Sequence, residues 1–586
     1  MTATETHRHG ARMIDAGTAR FTLWAPGRDS VGLEVDGAPP VPMVAHAGGW
    51  FVLELRAQPG ARYRFRIAPD LAVPDPASRL QDGDVHDASV LVGPDTFKWR
   101  FHTWRGRPWH ETVLYEVHPG ICGGYAGIQA MLPDLVRLGV TAVELMPIAD
   151  FPGNHNWGYD GVLPYAPDAA YGSPDALKSL IDSAHGAGVM MFLDVVYNHF
   201  GPDGNYLPSY APDFFRGDVD TPWGSAIDTR RPEVRRFFID NAIYWLNEFH
   251  FDGLRFDAVH AINDRAFLRG MAREIRAAVA PDRYIHLVLE NDKNDGTLLG
   301  DGLYDAQWAD DTHHCLHVLL TGEQSGYYGD YPDAAVKLAR CLAEGVAYQG
   351  EASAYRKGRP RGTPTRHLPP TAFVTFLQNH DQVGNRAFGE RLTTLADPAA
   401  LRAAILLVLL SPQIPLLFMG EDCGTTAPFL YFTDHLSSDL AEAVKHGRRL
   451  EFADFNATAP GGGQQMIPDP NDPATFHASI FDASGCTQDG TAWRALYRRL
   501  LAVRHMRIGP GIVGASSTGA EALGTRGIRA AWRLGTGEML TIAANFGDSP
   551  LACVHGPGEV IAAVPEGRPL TGTIPPFSAT AWLAAP

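Results

Sequence analysis

The sequence predicts an α/β protein: a closed (β/α)8 barrel of the TIM type, flanked by an N-terminal β-sandwich and a C-terminal antiparallel β-domain. Two observations predict this arrangement. In the middle of the chain, eight short apolar segments alternate with helical segments, which is typical of a parallel sheet. On both sides of that region, short alternating segments are separated by turns without helices, as in antiparallel sheets. We therefore expect domains at 1–95, 96–505 and 506–586.

The first domain is predicted to be a small sandwich of the immunoglobulin-like type. Its strand candidates alternate apolar and polar residues and are bounded by Gly, Pro and Asp, which form turns readily. They lie at 21–26, 31–35, 50–55 and 63–67.

The barrel region supplies eight strand candidates, enough to favour a closed barrel over an open doubly wound sheet. No Gly-x-Gly-x-x-Gly follows the first of them, which disfavours dinucleotide binding. The predicted strands are 113–117, 142–146, 189–195, 254–257, 284–289, 304–308, 372–376 and 414–418. Helices are predicted at 128–138, 175–185 and 235–249, and from 263 onward.

The last domain follows a predicted helix at 493–505 and contains strand candidates at 528–534, 539–543 and 579–583. Before it, the apolar window 403–420 has the length of a membrane span. Pro412 and Pro415 interrupt this window, so we predict a helix end and a short strand in the core.

The composition limits the kinds of partner that the protein can bind and the compartment in which we expect it. With 586 residues and a formal charge of −17, the chain needs several cores and is unsuited to nucleic acid or anionic membranes. Its six cysteines include no Cys-x-x-Cys pair, and the N-terminus has no apolar signal segment. These features predict a cytoplasmic protein without a disulfide framework. They do not indicate an oligomeric state.

Charged side chains follow several of the predicted barrel strands. Asp194, Asp257, Glu290 and Asp381 each stand at or just after a strand end. Catalytic groups of (β/α)8 enzymes lie at these ends of the strands. Carboxylates that are brought close together raise one another's pKa, which is unfavourable for ionised groups, so a catalytic role explains their grouping better than chance. A pair of carboxyl groups around one bond is what glycoside hydrolysis needs. For Asp257 and the neighbouring Arg255 alone, a structural ion pair is the alternative.

Four of these stretches resemble the signature regions of the α-amylase superfamily: 194–199, 253–257, Glu290 and 379–381. The resemblance implies a retaining glycoside hydrolase that acts on α-glucosidic bonds. It implies that Asp257 is the nucleophile, Glu290 the general acid and base, and Asp381 a residue that binds ring hydroxyls and stabilises the transition state. We expect Glu290 to be protonated and Arg255 to keep Asp257 ionised.

The same resemblance implies a set of substrate-binding residues. Arg255 orients Asp257, His199 and His380 contact the reacting sugar, Tyr159 stacks beneath it, and Asp194 supports the site. A structural role is the alternative for the two histidines and the tyrosine.

Further segments resemble one family within this superfamily, the malto-oligosyltrehalose trehalohydrolases, over nearly the whole chain. They lie at 151–161, 198–207, 290–295, 304–308, 313–322 and 432–435, whereas 116–124 is shorter than the family pattern. The resemblance implies a carbohydrate-associated N-terminal domain and a role in trehalose biosynthesis. The implied partner is an α-1,4-glucan oligosaccharide with a trehalose end, cut at the α-1,4 bond next to that end. Candidate contacts to this end are Asn291, Asp292 and the pair Asp310–Asp311.

Other functions remain open at this point. A branching enzyme or another amylase-type enzyme would share the carboxylates, and a non-catalytic carbohydrate-binding protein would share the fold. The pair His313–His314 has no matching ligand at metal-binding spacing, and no EF-hand pattern is present. We expect neither an obligatory metal nor a cofactor.

Overall fold

The computed structural model describes residues 8–94, 96–221, 223–452, 466–480, 489–553, 556–567 and 572–586. Its centre is a closed barrel of eight parallel strands in sequence order, so the predicted fold class is confirmed. The barrel strands are Leu114–Val117, Ala142–Leu145, Met190–Val195, Gly253–Phe256, His286–Leu289, Ala306–Trp308, Phe373–Thr375 and Ile414–Phe418.

Helices surround the barrel and cover its strands. The longer ones are Gly124–Leu138, Pro174–Gly186, Pro232–Glu248, Arg265–Ala278, Asp310–Thr321, Ala334–Glu344, Pro398–Leu410, Ser438–Glu451 and Gly490–Val503. Shorter ones are Leu207–Tyr210, Val259–Ile262, His380–Gly384, Leu392–Leu395 and Pro473–Ser479. The apolar window 403–420 contains the end of the buried helix Pro398–Leu410 and the last barrel strand, as predicted. No helix among the described residues is long and apolar enough to cross a membrane.

The helix expected from residue 263 begins two residues later. The Asp264 carboxylate accepts a hydrogen bond from the backbone N–H of Phe267 at 2.9 Å, which caps the helix Arg265–Ala278. Asn263 has φ +53°, a left-handed conformation that separates this helix from Val259–Ile262.

Two antiparallel sheets form the N-terminal domain, as predicted. One contains Arg12–Met13, Thr18–Trp24, Trp50–Arg56 and Val44–His46; the other contains Val41–Pro42, Gly32–Val35, Arg62–Ala68, Leu71–Val73 and Ser89–Val90. The rings of Phe21 and Tyr63 meet between the sheets, with centroids 5.0 Å apart.

The C-terminal sheet has more strands than the sequence indicated. Its order is Ser516–Leu523, Gly527–Arg533, Met539–Asn545, Ser578–Ala584 and Glu559–Val564, with a separate pair Leu551–Ala552 and Thr573–Ile574. The first strand is largely exposed, and the last has a bulge between Val560 and Ala562, so neither shows clean alternation. Three further two-stranded sheets, also missed, join loops of the barrel: Ala149–Asp150 with Leu163–Pro167, Phe215–Thr221 with Gly224–Ile227, and Ala352–Ser353 with Arg359–Pro360.

The C-terminal sheet is bound to the barrel partly through Trp532. This side chain is fully buried, and its indole N–H donates to the backbone oxygen of Leu342, in a barrel helix, at 3.2 Å. We expect Trp532→Ala to lower the free energy of unfolding by about 3–5 kcal/mol because it leaves a large cavity. Denaturant unfolding measures the loss. Val513→Ala, at a side chain 62% exposed, is the control and should change the free energy by less than about 0.5 kcal/mol.

Candidate active site

The guanidinium group of Arg255 joins three carboxylates at the carboxyl ends of the barrel strands. Its Nη1 donates to Asp194 Oδ2 and Asp257 Oδ1, each at 2.7 Å, and its Nη2 donates to Glu290 Oε2 at 3.1 Å. The Arg255 side chain is 0% exposed, and its Cζ lies 4.1 Å from the ring centroid of Trp308. The three carboxylates that the sequence placed on separate strands are thus held by a single buried cation.

Asp257 and Glu290 differ in the direction of their pKa shifts. Burial raises the pKa of Asp257 well above its usual range, although Arg255 opposes this. Burial acts in the same sense on Glu290, but Arg255, His260 and the backbone N–H of Ala258 together hold the pKa of Glu290 below its usual range. The pKa shifts thus favour protonation of Asp257 over Glu290, which is the reverse of the sequence-based expectation. The reason is that Glu290 Oε2 accepts two hydrogen bonds, from Arg255 and from Ala258 at 2.7 Å.

Asp381 completes the group of carboxylates from the seventh strand. It lies in the first turn of His380–Gly384, a short helix whose N-terminus is capped by Asn379. The Asp381 side chain is 38% exposed, and its Oδ1 lies 3.4 Å from Nε2 of His380. Burial and the charge of Glu290 raise the pKa of Asp381, while His380 opposes them.

Tyr159 and His380 lie behind these carboxylates. The rings stack with centroids 5.2 Å apart, the Tyr159 hydroxyl donates to Asp194 Oδ2 at 2.7 Å, and Nε2 of His380 lies 2.8 Å from Tyr159 Oη. On its other side, Nδ1 of His380 donates to Glu116 Oε1 at 2.6 Å. Sequence reasoning missed Glu116. The available signal was a charged residue inside an otherwise apolar barrel strand.

His199 lies beside Tyr159, at the entrance to the site. Its Nε2 lies 2.9 Å from the backbone oxygen of Tyr159, and burial lowers the pKa of the ring. The half-exposed Trp223, in the missed hairpin, stacks on His199 at 5.6 Å between centroids.

Asn291 and Asp292 follow Glu290 in the same loop. Asn291 is buried, and its Oδ1 accepts from the backbone N–H of Lys293 at 3.2 Å. The Asp292 carboxylate forms ion pairs with Arg356 and, at 3.3 Å, with Arg361. The Asp292 charge is therefore already paired within the protein.

Asp310 lies close enough to Glu290 for the charges of the two carboxyl groups to interact. Burial and the charge of Glu290 raise the pKa of Asp310 to about 8. Asp311 is fully buried and accepts hydrogen bonds from Arg361 at 2.6 Å and from the Tyr331 hydroxyl at 2.5 Å. The structure therefore assigns Asp311 a structural contact, contrary to its proposed place at the substrate.

The two histidines considered for a metal are used in packing. His313 contacts the backbone oxygen of Leu377 and the hydroxyl of Tyr328, and His314 contacts the hydroxyl of Tyr331. Within the described part of the chain, no three His, Cys, Asp or Glu side chains are grouped so as to hold a metal ion.

Comparisons with known proteins agree with this geometry. The family model of the α-amylase catalytic domain matches residues 81–211, and that of a domain of unknown function, DUF3459, matches residues 515–582. A malto-oligosyltrehalose trehalohydrolase from Deinococcus radiodurans is 41% identical over 80% of this chain and 78% of its own length. One from Rhizobium sp. is 35% identical over 96% of this chain and 97% of its own. The crystal structure of a putative α-amylase from Salmonella typhimurium is 42% identical, with a TM-score of 0.93 over 99% of this chain and 100% of that one.

The contrast between Asp310 and Asp311 can be tested by stability. We expect Asp311→Asn to lower the free energy of unfolding by about 3 kcal/mol, because it removes the closer charged partner of the buried Arg361 guanidinium and leaves Asp292, at 3.3 Å. Denaturant unfolding measures this. Asp310→Asn is the matched control: an acid with a pKa of about 8 is mostly neutral at neutral pH, so an amide replaces it with little loss. Equal losses in the two variants would contradict the assignment.

Proposed function

The chain belongs to the family of malto-oligosyltrehalose trehalohydrolases in the α-amylase superfamily, and we propose that it cuts trehalose from the end of a maltooligosyltrehalose. The bond hydrolysed is the α-1,4-glucosidic bond next to the terminal trehalose unit, and the products are trehalose and a shortened maltooligosaccharide. The observation that carries the chemistry is the contact of Arg255 with Asp194, Asp257 and Glu290. The five cysteines in the described part of the chain form no disulfide bond there, which supports the proposed cytoplasmic location.

The proposed reaction has two steps with retained anomeric configuration. Asp257 attacks the anomeric carbon, while Glu290 gives its proton to the glycosidic oxygen and trehalose leaves through its 4-hydroxyl group. Water, deprotonated by Glu290, then hydrolyses the maltooligosyl ester of Asp257. Asp257 and Glu290 bind two nitrogens of one guanidinium group, which supports the close spacing that a retaining pair needs.

The location of the proton follows from the two pKa shifts. Hydrolysis requires a proton on Glu290, whereas in the ligand-free site the two shifts favour protonation of Asp257 over Glu290. We propose that a sugar in the site displaces Glu290 Oε2 from Arg255 and Ala258. Loss of these hydrogen bonds raises the pKa of Glu290, because they favour the charged form.

The remaining residues have proposed roles in holding the sugar. Asp381, with its partly exposed carboxylate, binds ring hydroxyls and stabilises the transition state. Tyr159 stacks beneath the reacting sugar, and His199 and His380 contact that sugar. Asp194 supports the site through its shared contact with Arg255, the residue that orients Asp257.

Recognition of the trehalose end is proposed to involve polar groups beside Glu290. A trehalose end turns through an α,α-1,1 bond, so a site built for it leaves polar groups unpaired when a linear glucan binds. Asn291 and Asp310 are the candidates for such unpaired groups. Asp292 is also proposed to contact the trehalose end, but its charge is already paired with Arg356 and Arg361 and does not add to this cost. Each unpaired group costs about 1–3 kcal/mol, which corresponds to a preference of roughly tenfold to a hundredfold per contact.

The acid role can be tested with Glu290→Gln. Natural substrates should lose roughly 10²–10⁴-fold in rate, because the leaving oxygen needs a proton. A maltooligosyl fluoride, whose leaving group needs little help, should lose much less. The variant also removes a negative charge that raises the pKa of Asp257. Asp257 then stays ionised to lower pH, so the acidic limb of kcat/KM for the fluoride should move to lower pH.

A matched control for this experiment is Glu421→Gln. Glu421 is also buried, but it follows the last barrel strand and accepts a hydrogen bond from Tyr497 at 2.7 Å. The variant Glu421→Gln should change neither the ratio of the rates for the natural substrate and the fluoride nor the acidic limb of the pH profile of kcat/KM. Equal losses for both substrates in Glu290→Gln would show that Glu290 is not the acid.

Substrate specificity is tested by comparing chains of equal length with and without the trehalose terminus. We expect the trehalose-ended chain to be cleaved at least roughly tenfold faster, with trehalose as the released product. Chromatography of the products measures this. Comparable cleavage of both chains would indicate a general amylase, new branch points in amylose a branching enzyme, and binding without products a carbohydrate-binding protein.

A further inference from the structure

Glu116 lies inside the first barrel strand and forms two hydrogen bonds with His380. Its Oε1 accepts from Nδ1 of the ring at 2.6 Å, and its Oε2 accepts from the backbone N–H of His380 at 3.0 Å. Both side chains are 1% exposed. A carboxylate can only accept, so Nδ1 carries a hydrogen, and the two contacts fix the position of the ring.

The other ring nitrogen begins a chain of hydrogen bonds that ends at the nucleophile. Nε2 of His380 lies 2.8 Å from Tyr159 Oη, and the Tyr159 hydroxyl donates to Asp194 Oδ2 at 2.7 Å. The same oxygen of Asp194 accepts from Arg255 at 2.7 Å. Nη1 of Arg255 also donates to Asp257 at 2.7 Å. A change at His380 can therefore reach the attacking carboxylate through three intervening side chains.

The charge of His380 determines the direction in which the hydrogen bonds of this series are donated. A neutral ring with its hydrogen on Nδ1 accepts at Nε2, so the single hydrogen of the Tyr159 hydroxyl would be drawn away from Asp194. An imidazolium donates from both nitrogens and leaves that hydrogen for Asp194. We propose that Glu116 is a positioning residue for hydrolysis: it keeps His380 as an imidazolium and thereby directs the Tyr159 hydroxyl to Asp194, the carboxylate that shares a guanidinium group with the nucleophile. This inference rests on the proposed function.

The charges around His380 support the protonated ring. Burial lowers the pKa of His380, but Glu116 and Asp381 outweigh burial and raise that pKa to about 9. Arg255, on the fourth strand, opposes them. Other titratable groups whose charges interact with His380 include His118, Glu144, Asp194 and Glu290.

Glu144 provides a matched control on the neighbouring strand. It occupies the position paired with Glu116 and is also 1% exposed. Neither of its side-chain oxygens has a hydrogen-bond partner among the described residues. Burial and the charges of Glu116 and Asp194 raise the pKa of Glu144 well above its usual range, which favours the neutral acid, and a glutamine has nearly the same size.

Glu116→Gln tests the proposal because it removes the charge and keeps the size. Its amide oxygen can still accept from Nδ1–H of His380, so the neutral ring of the variant keeps its hydrogen on Nδ1 and accepts from Tyr159 at Nε2. For the trehalose-ended substrate, we expect kcat to fall about tenfold to a hundredfold at about pH 8, with a smaller change in KM. The ratio of variant to wild-type kcat should rise as the pH falls toward about 5, because the ring of the variant regains its proton only in acid.

Glu144→Gln should match the wild type at every pH, and the thermal midpoint shows that each variant is folded. An equal loss in Glu144→Gln, an unchanged kcat in Glu116→Gln, or a loss that is the same at every pH would overturn the proposal. A pH-independent loss would indicate a structural role alone.

Nuclear magnetic resonance tests the same proposal without a substrate. The ring nitrogens of His380, labelled with 15N and assigned by their loss in His380→Gln, should have imidazolium shifts in the wild type at about pH 8 and neutral shifts in Glu116→Gln. A neutral His380 in the wild type would overturn the inference even if Glu116→Gln failed to fold. A wild type that releases no trehalose but contains the imidazolium would refute the proposed function and retain the charge assignment.

Discussion

The buried charge of Arg255 is the constraint on which the rest of the site depends. A fully buried guanidinium group needs hydrogen-bond acceptors around it, and carboxylates supply them to Arg255. Asp194 stands opposite Arg255 in the strand register, Asp257 follows two residues later, and Glu290 comes from the next strand. A slip of one residue in either pairing would move one of the three carboxylates away from the cation. The same pairs that stabilise the barrel therefore place the reacting groups.

The interior of the barrel beneath the site is more polar than packing alone requires. Glu116 and Glu144 stand side by side on the first two strands, and Gln307 and Thr375 each have a buried side-chain oxygen without a hydrogen-bond partner among the described residues. Apolar side chains at such positions would stabilise the barrel more. An active site in which protons must lie at defined positions needs polar groups, and such groups lower the stability of the fold.

Most of the barrel could be predicted because its strands are buried on both faces and form continuous apolar runs. The exposed strand Ser516–Leu523 and the bulged strand Glu559–Val564 lack such a signal and were missed. For the site, strand-end carboxylates could be found from sequence, whereas Glu116 acts from inside a strand. The order of the pKa values of Asp257 and Glu290 could not be predicted, because it depends on the backbone N–H of Ala258.

The C-terminal sheet has a consequence for the way the protein is synthesised. Ser578–Ala584 is an inner strand, hydrogen-bonded to Met539–Asn545 on one side and to Glu559–Val564 on the other. While the ribosome is still adding these residues, the sheet lacks an inner strand, and the apolar helix Pro398–Leu410 lacks one of the strands that pack against it. Chaperones recognise such surfaces on nascent chains. A premature stop codon before Ser578 would therefore yield a chain with an intact set of catalytic carboxylates that cellular proteases remove.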